Sequence, residues 1–192
     1  MKKIYLIMML LLLSGCYNYR ESDTVAFVSA IAIDYQDQNY ELTIEIKENQ
    51  DKATTSSFLL TSKAPKIEEA LDKLLLTHDK PLYFGIIDIL LLTPESLLKT
   101  DEITEHIKTT YDFAFNFNVA ISDEPLKVIK FVQRKEEVFG IYIKTILKNN
   151  HYLDVTYPDF LKNTLKGETI NLPVLKLDGE ELLFRRSNGT TN

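Results

Sequence analysis

The chain has 192 residues, of which 45% are hydrophobic and 26% are charged, with a formal net charge of −6. This length suits one ordinary domain, and ten phenylalanines and ten tyrosines exclude a disordered chain. The acidic balance argues against a nucleic-acid partner, and the single cysteine, Cys16, excludes an intrachain disulfide and a cysteine-based zinc site.

The amino terminus has the pattern of an export signal. Lys2 and Lys3 precede an apolar run over residues 4–13, which is shorter than the ~20 residues that a membrane-spanning helix needs. Leu13-Ser14-Gly15-Cys16 resembles the lipobox of bacterial lipoproteins. That resemblance implies cleavage before Cys16 and attachment of lipid, including palmitate-type acyl chains, to this residue. An ordinary signal peptide with a coincidental cysteine is the alternative.

These features predict four segments. Residues 1–15 form the lipoprotein signal peptide, and residues 16–24 form a lipid-anchored N-terminal segment. Residues 25–184 form one domain, because the chain contains no repeat and no interdomain linker. Residues 185–192 form a polar tail without periodicity.

Hydrophobic periodicity predicts strands and helices along the domain. Residues 25–34 (VAFVSAIAID) and 82–92 are apolar runs typical of buried strands, while residues 40–47 and 113–121 alternate as half-buried strands do. Weaker or shorter strands are expected at 56–62, 172–177 and 181–184. Helices are expected at 66–78, 94–98, 101–110, 126–132, 138–147 and 160–165.

The order of these elements indicates the fold class. Strands and helices are mixed without strict alternation, which favours an α+β fold over a doubly wound sheet. We therefore expect one domain with a mixed, largely antiparallel sheet flanked by helices.

The sequence contains no recognisable catalytic or cofactor motif. His78, His106 and His151 are far apart in the sequence, so surface or capping roles are expected for all three. The carboxylate pairs Glu68-Glu69, Glu136-Glu137 and Glu180-Glu181 lie in polar stretches and are expected to be solvated. Phe113, Phe115 and Phe117 are expected to form the core face of a strand. The sequence thus predicts no enzyme, no cofactor and no metal site.

The order of segments resembles the Ger(x)C family of spore germination lipoproteins. Residues 15–21 (GCYNYRE) resemble the family's Gly-Cys-Trp-Asp opening, with Tyr17 and Asn18 in place of Trp and Asp. The similarity continues through Ala32-Ile33-Asp34 at the end of the first strand and the helical stretch 66–76. It also includes Leu82-Tyr83-Phe84-Gly85, where Ile86 replaces a frequent histidine, residues 115–122, and Leu172-Pro173-Val174-Leu175. The chain covers the family's N-terminal domain, so a short or truncated member is expected.

The resemblance implies a non-enzymatic C subunit of a germinant receptor. Such a subunit would be anchored through Cys16 to membrane lipid on the extracytoplasmic face of the spore inner membrane. Its partners would be integral membrane receptor subunits. The alternative is an extracytoplasmic ligand-binding lipoprotein of an uptake system, which would hold a small molecule in a cleft.

Overall fold

The computed structural model describes residues 24–51, 54–110, 113–168 and 170–187. The eight strands in this part of the chain are β1 (Ala26–Gln36), β2 (Asn39–Asp51), β3 (Thr54–Ala64), β4 (Leu82–Tyr83), β5 (Ile89–Leu92), β6 (Asn118–Ile121), β7 (Pro173–Asp178) and β8 (Glu181–Arg186). The α-helices are α1 (Ile67–Thr77), α2 (Pro94–Leu97), α3 (Thr100–Thr110), α4 (Pro125–Gln133), α5 (Phe139–Asn149) and α6 (Tyr157–Lys166).

All eight strands belong to one mixed sheet. Its order is β3-β2-β1-β5-β6-β7-β8, and the short β4 pairs with the start of β1. The pairs β1–β2, β2–β3 and β7–β8 are antiparallel, whereas β1, β5, β6 and β7 run parallel in the middle of the sheet. The fold is a single α+β domain, which confirms the predicted fold class.

Helices cover both faces of this sheet and create two apolar cores. The first core lies under α1, α3 and α6, where it includes Leu71, Ile103 and Phe160. The second core lies under α4 and α5, where it includes Ile129 and Ile143. A strand between two such layers must be apolar on both sides, which explains the continuous apolar run of β1.

The side chains of β1 point into both cores, and the strand contains an irregularity. The register with β2 shifts between Val28 and Ala30, so Ser29 is an inserted residue of the β-bulge type. Val28 and Ile31 then face the first core, while Ala30 faces the second. The bulge lies in the part of the sheet that α5 covers, because Gly140 of α5 closely approaches the backbone of Ser29.

Two predicted strands are shorter in the structure. The apolar run 82–92 contains β4 and β5, separated by a non-strand segment in which the Asp88 N–H donates to Ser29 O at 2.8 Å. An apolar run alone does not distinguish strand from buried turn, which explains this difference. The alternating stretch 113–121 is strand only from Asn118 onward.

Candidate functional site

An acidic cleft lies at the end of the sheet that is formed by the carboxyl ends of the parallel strands. Its volume is about 250 Å³, and its walls come from the end of β1, the start of β2 and the start of α4. The chain leaves β5 towards the first core and β6 towards the second, and such divergence opens a crevice at the carboxyl ends of strands. The residues that line the cleft are Ala32, Asp34, Glu41, Thr43, Asp123, Glu124, Pro125, Leu126 and Lys127.

Carboxylates dominate the charge of this acidic cleft. Asp34, Glu41, Asp123 and Glu124 face a single cation, Lys127, which pairs with Glu124. Asp34 is held in place because Thr93 Oγ1 donates to its Oδ1 at 3.0 Å. The resulting negative potential favours an ammonium group or another cation over an anion.

A second polar cluster is buried beneath the amino terminus of α5. Glu45 has an exposed fraction of 0%, although it lies in β2 between strongly apolar neighbours. Its carboxylate accepts hydrogen bonds from Ser29 Oγ at 2.5 Å and from Ser57 Oγ at 2.7 Å. Gln133 Nε2 donates a longer bond of 3.3 Å. We refer to Glu45, Ser29, Ser57 and Gln133 as the Glu45 cluster.

Glu45 also caps a helix that is remote in sequence. The backbone N–H groups of Phe139 and Gly140 donate to its two oxygens at 2.8 and 3.0 Å. The first N–H groups of a helix lack partners inside the helix, and a carboxylate is favoured there by the helix dipole. The buried carboxylate thus accepts from five donors, which belong to two strands and two helices.

A glycine lets α5 come close enough for this contact. A Cβ atom built on Gly140 would lie 2.4 Å from the backbone oxygen of Ser29. Backbone atoms cannot move aside as a flexible side chain can, so a larger residue here would push α5 off the sheet. Gly140 and the bulge at Ser29 therefore act together to place the amino terminus of α5 over Glu45.

An ion-pair triad fixes the same helix further along. Lys47 Nζ lies 2.8 Å from Asp88 Oδ2, and Lys144 Nζ of α5 lies 3.0 Å from Asp88 Oδ1. Asp88 is mostly buried, with 8% of its surface exposed. The three side chains connect β2, the segment before β5 and α5, so they reinforce the position that the Glu45 cluster gives to the helix.

A third polar group joins β2 to α3. Tyr40 Oη donates to Glu102 Oε2 at 2.5 Å, and Lys99 Nζ lies 2.8 Å from the other oxygen of Glu102. The hydrogen bonds from Lys99 and then Tyr40 lower the pKa of Glu102. Burial, assisted by the bond to Glu102, raises the pKa of Tyr40. This arrangement anchors α3 and leaves Tyr40 in its neutral form at ordinary pH.

The predicted functional residue Cys16 lies outside the described residues, so its lipidation stays a prediction. The three histidines have different surroundings. His78 is the C-cap residue of α1 and stacks on Phe58, and His151 is exposed. The surface role predicted for His106 is wrong, because this side chain is 6% exposed in the first core, where α3 meets α1.

The predictions for the carboxylate pairs and the phenylalanines have different outcomes. All six members of the carboxylate pairs are exposed, as expected. Phe113 and Phe117 are buried in the first core, but Phe115 is 44% exposed and stacks on Tyr157. The predicted core position is therefore confirmed for two of the three phenylalanines, but the predicted strand is wrong for all three, because β6 begins only at Asn118.

Sequence reasoning missed the Glu45 cluster. Glu45 alternates with Ile44 and Ile46, a pattern that predicts a solvent-facing side chain on a half-covered strand. Its neighbour in space, Phe139, is 94 residues away in the chain. Serine at position 29 inside an apolar run was the one local sign of a buried polar contact.

The described ranges show neither a metal-binding cluster nor a membrane-spanning helix. These ranges contain no group of three or more histidine, cysteine, aspartate or glutamate residues arranged to hold a metal ion. None of the helices between residues 24 and 187 that the structure describes is long and apolar enough to cross a membrane.

Comparison with known proteins connects this fold to a family. The model of the spore germination protein N-terminal domain matches residues 18–177, which is most of the chain. No curated protein and no solved structure matches it. The matched range begins before β1 and ends in β7, so it includes both cores, the acidic cleft and the Glu45 cluster.

Proposed function

Because the chain belongs to the family of the spore germination protein N-terminal domain, we propose that it is a lipid-anchored, C-type subunit of a spore germinant receptor. In this role the protein acts in spore germination by assembling with integral membrane subunits, and it performs no catalysis itself. The family match over residues 18–177 is the observation that carries the proposal.

The amino-terminal sequence supports the anchoring part of the proposal. A basic start, a short apolar run and Leu-Ser-Gly-Cys place Cys16 where bacterial lipoproteins are modified. Each buried methylene of an acyl chain contributes about 0.8 kcal/mol, and two or more chains together hold a protein stably on a membrane. The anchored protein is expected on the extracytoplasmic face of the spore inner membrane.

The described domain uses polar contacts to attach a helix to the sheet. The Glu45 cluster and the Asp88 triad use their polar groups to hold α5 against the sheet. Their geometry is that of structural contacts between distant segments of the chain. We accordingly assign no catalytic role to Glu45 or Asp88 and regard both as stabilising residues.

Deletion of the gene tests the germination role. Spores that lack the protein should lose their response to the germinant of this receptor, measured as the loss of refractility after germinant addition. Restoring the gene should restore the response. Normal germination of the deletion strain, in a background without a redundant receptor, would contradict the proposal.

Substitution of Cys16 tests the anchor. Cys16→Ala should move the protein from the membrane fraction to the soluble fraction, because alanine has no thiol that can accept lipid. Ser14→Ala is the matched control, since it keeps a small residue before the cleavage site and should leave the protein in the membrane fraction. A Cys16→Ala protein that remains in the membrane would exclude lipid attachment as the anchor.

Co-purification tests the partners. The wild-type protein, extracted from spore membranes with mild detergent, should carry integral membrane receptor subunits with it. The Cys16→Ala protein should recover far less of them, because it is no longer concentrated at the membrane surface. Recovery of the wild-type protein without any integral membrane partner would contradict assembly.

The acidic cleft favours a second candidate function, the binding of a small extracytoplasmic ligand by an uptake lipoprotein. Its carboxylates suit a ligand with an ammonium group, such as an amino acid, better than a neutral sugar. A thermal-shift series with amino acids and sugars tests this. Stabilisation by an amino acid that is lost in Glu41→Gln would support ligand binding, and the absence of any shift would count against it.

A further inference from the structure

Aromatic and apolar side chains reach the surface where β1 begins. Phe27 of β1 and Tyr83 of β4 are partners in the parallel pairing of these strands, and their rings form an edge-to-face pair with centroids 5.8 Å apart. Both residues are half-buried, and neither belongs to the two cores of the described domain. Ile86, which follows β4, is 39% exposed. We refer to Phe27, Tyr83 and Ile86 as the aromatic patch.

A glycine makes the aromatic patch continuous. A Cβ atom built on Gly85 would lie 2.4 Å from the hydroxyl oxygen of Tyr83, so the Tyr83 side chain lies directly on the backbone of this glycine. Tyr83 therefore contacts both the Phe27 ring and the backbone next to Ile86. The three side chains of the patch come from neighbouring positions on one surface.

Other elements bring apolar residues to the same end of the sheet. Strands β1, β5 and β6 run parallel, and their first residues define what we call the amino end of the sheet. Helix α1 ends there, because the loop after it places Pro81 O where it accepts from the Ala26 N–H at 2.9 Å. Leu76, in the last turn of α1, is 87% exposed, and Phe115, shortly before β6, is 44% exposed.

The two ends of the sheet differ in charge. The acidic cleft lies at the carboxyl end, where four carboxylates face one lysine. At the amino end, Asp88 pairs with both Lys47 and Lys144, so this triad carries a net positive charge. The negative surface of a phospholipid membrane attracts lysines and repels carboxylates. Charge and apolar exposure thus both favour the amino end as the side that faces a membrane.

The chain enters the domain at this same end. The described part of the chain begins at Thr24, next to the first residues of β1. Cys16 lies eight residues earlier in the sequence, and eight residues span at most about 29 Å. A lipid on Cys16 would keep the amino end of the sheet within this distance of the membrane surface. Such a tether makes weak contacts effective, because it keeps the two surfaces close together.

We propose that the aromatic patch contacts the lipid bilayer in which Cys16 is anchored. Phe27, Tyr83 and Ile86 lie at the boundary between headgroups and acyl chains, where aromatic rings and exposed apolar side chains are favoured. The acidic cleft, at the other end of the sheet, faces away from the membrane. This orientation rests on the proposed lipid anchor, and it adds which surface of the domain the lipid covers.

Quenching of a fluorescent label by lipid tests this contact. Ile86→Cys is labelled with bimane in the full-length protein, in which lipid blocks the Cys16 thiol. The protein is then reconstituted into vesicles of phosphatidylcholine and phosphatidylglycerol that contain a nitroxide-labelled phosphatidylcholine. The label should lose most of its fluorescence, because nitroxide quenching acts only at short range. The control is Leu98→Cys, which is 78% exposed and follows α2 at the carboxyl end, and its label should lose little.

Leu76→Cys provides a second position at the amino end. Its side chain is 87% exposed, so its replacement should leave the fold unchanged, which circular dichroism checks. Leu76 and Leu98 are both exposed leucines near the end of a helix, so they form a matched pair for the two ends of the sheet. The label at position 76 should be quenched more than the label at position 98. If Ile86→Cys does not fold, this pair decides the question.

The outcomes separate the bilayer contact from the anchor. Strong quenching at positions 86 and 76 with little quenching at position 98 supports the proposal. Equal quenching at the two ends, or no quenching at position 86 in protein that floats with the vesicles, would overturn the contact and leave the anchor intact. A label at position 86 that responds only to added integral membrane proteins would assign the patch to a protein partner instead. Wild-type protein that takes up bimane at Cys16, or that does not float, would contradict the anchor and the contact together.

Discussion

Tyr157 and Tyr40 are both buried, but their hydroxyl groups have different surroundings. Tyr157 packs in the first core between Phe117 and Phe160, and its hydroxyl has no hydrogen-bond partner among the described residues. Burial raises the pKa of Tyr157 to about 12. Tyr40 instead donates to Glu102 at 2.5 Å. A buried hydroxyl stabilises a fold only when it is paired.

This difference predicts opposite effects for the same substitution. Tyr157→Phe should raise the free energy of unfolding by about 1 kcal/mol, because it removes an unpaired buried hydroxyl. Tyr40→Phe should lower it by about 1 kcal/mol, because it removes a bond to a partly exposed carboxylate. Urea denaturation of both variants measures the effect. A loss of stability in Tyr157→Phe would show that its hydroxyl is paired in solution.

His106 makes the stability of the protein sensitive to mild acid. Burial lowers its pKa in the folded protein, although the negative charges of Glu68 and Asp72 on α1 oppose this shift. The unfolded chain binds a proton on this side chain below pH ~6.5, whereas the folded protein binds it only at a lower pH. The contribution of His106 to the free energy of unfolding is therefore fully present above pH ~6.5. This contribution is lost as the pH falls towards the pKa of His106 in the folded protein.

A neutral substitution should remove this contribution. Between pH 7.5 and pH 5, His106→Gln should lose less stability than the wild-type protein, measured as the change in urea midpoint. The exposed His151→Gln serves as the control, and it should follow the wild-type curve. Parallel curves for wild type and His106→Gln would contradict a buried neutral imidazole.

Helix α5 is positioned by polar contacts as much as by its apolar face. Ile143 and Leu147 enter the second core, as its helical periodicity predicts. Its angle and height above the sheet depend in addition on Glu45, on the close approach of Gly140 to Ser29, and on the Lys144–Asp88 pair. None of these contacts can be inferred from the apolar periodicity of the segment.

Glu45→Gln tests the strength of this attachment. The side-chain NH2 group of glutamine would face N–H or O–H donors at a position where a carboxylate oxygen now accepts their hydrogen bonds. At least one buried donor would therefore lose its partner. We expect a loss of about 3 kcal/mol in the free energy of unfolding. Glu48→Gln, on the exposed part of the same strand, is the matched control and should change stability little. Equal effects of the two substitutions would show that Glu45 is solvated.

One sheet divides the interior of the described domain into two cores. Adjacent residues of β5 enter different cores, Leu90 the first and Leu91 the second, and both are almost completely buried. Because the sheet is common to both layers, loss of packing on one side removes the support of the other. We expect the domain to unfold as one cooperative unit.

Paired truncations test this cooperativity. Leu90→Ala and Leu91→Ala should each lower the free energy of unfolding by about 3 kcal/mol. In each variant, the transitions followed by tyrosine absorbance and by far-ultraviolet circular dichroism should coincide. A variant in which these two transitions separate would show that the cores unfold independently. The exposed Leu76→Ala provides the control, with little change expected.

Local patterns in the amino-acid sequence were sufficient to predict the fold class, most helices and the family. Amphipathic periodicity is local, so it identified α1, α4 and α5 to within a few residues, and the apolar run of β1 indicated a doubly covered strand. The lipobox pattern around Cys16 is local as well, and it carries the prediction of the anchor. Motifs in a fixed order sufficed for the family resemblance, which the match over residues 18–177 confirms.

The burial of individual polar residues became visible only in the folded structure. Glu45 alternates with apolar residues as a solvent-facing side chain would, and its burial depends on α5, which arrives from 94 residues away. The divided strand 82–92 and the buried His106 have the same origin, because each reflects a surface supplied by distant segments. Local patterns record what a residue prefers, whereas burial depends on which distant segments of the chain pack against it.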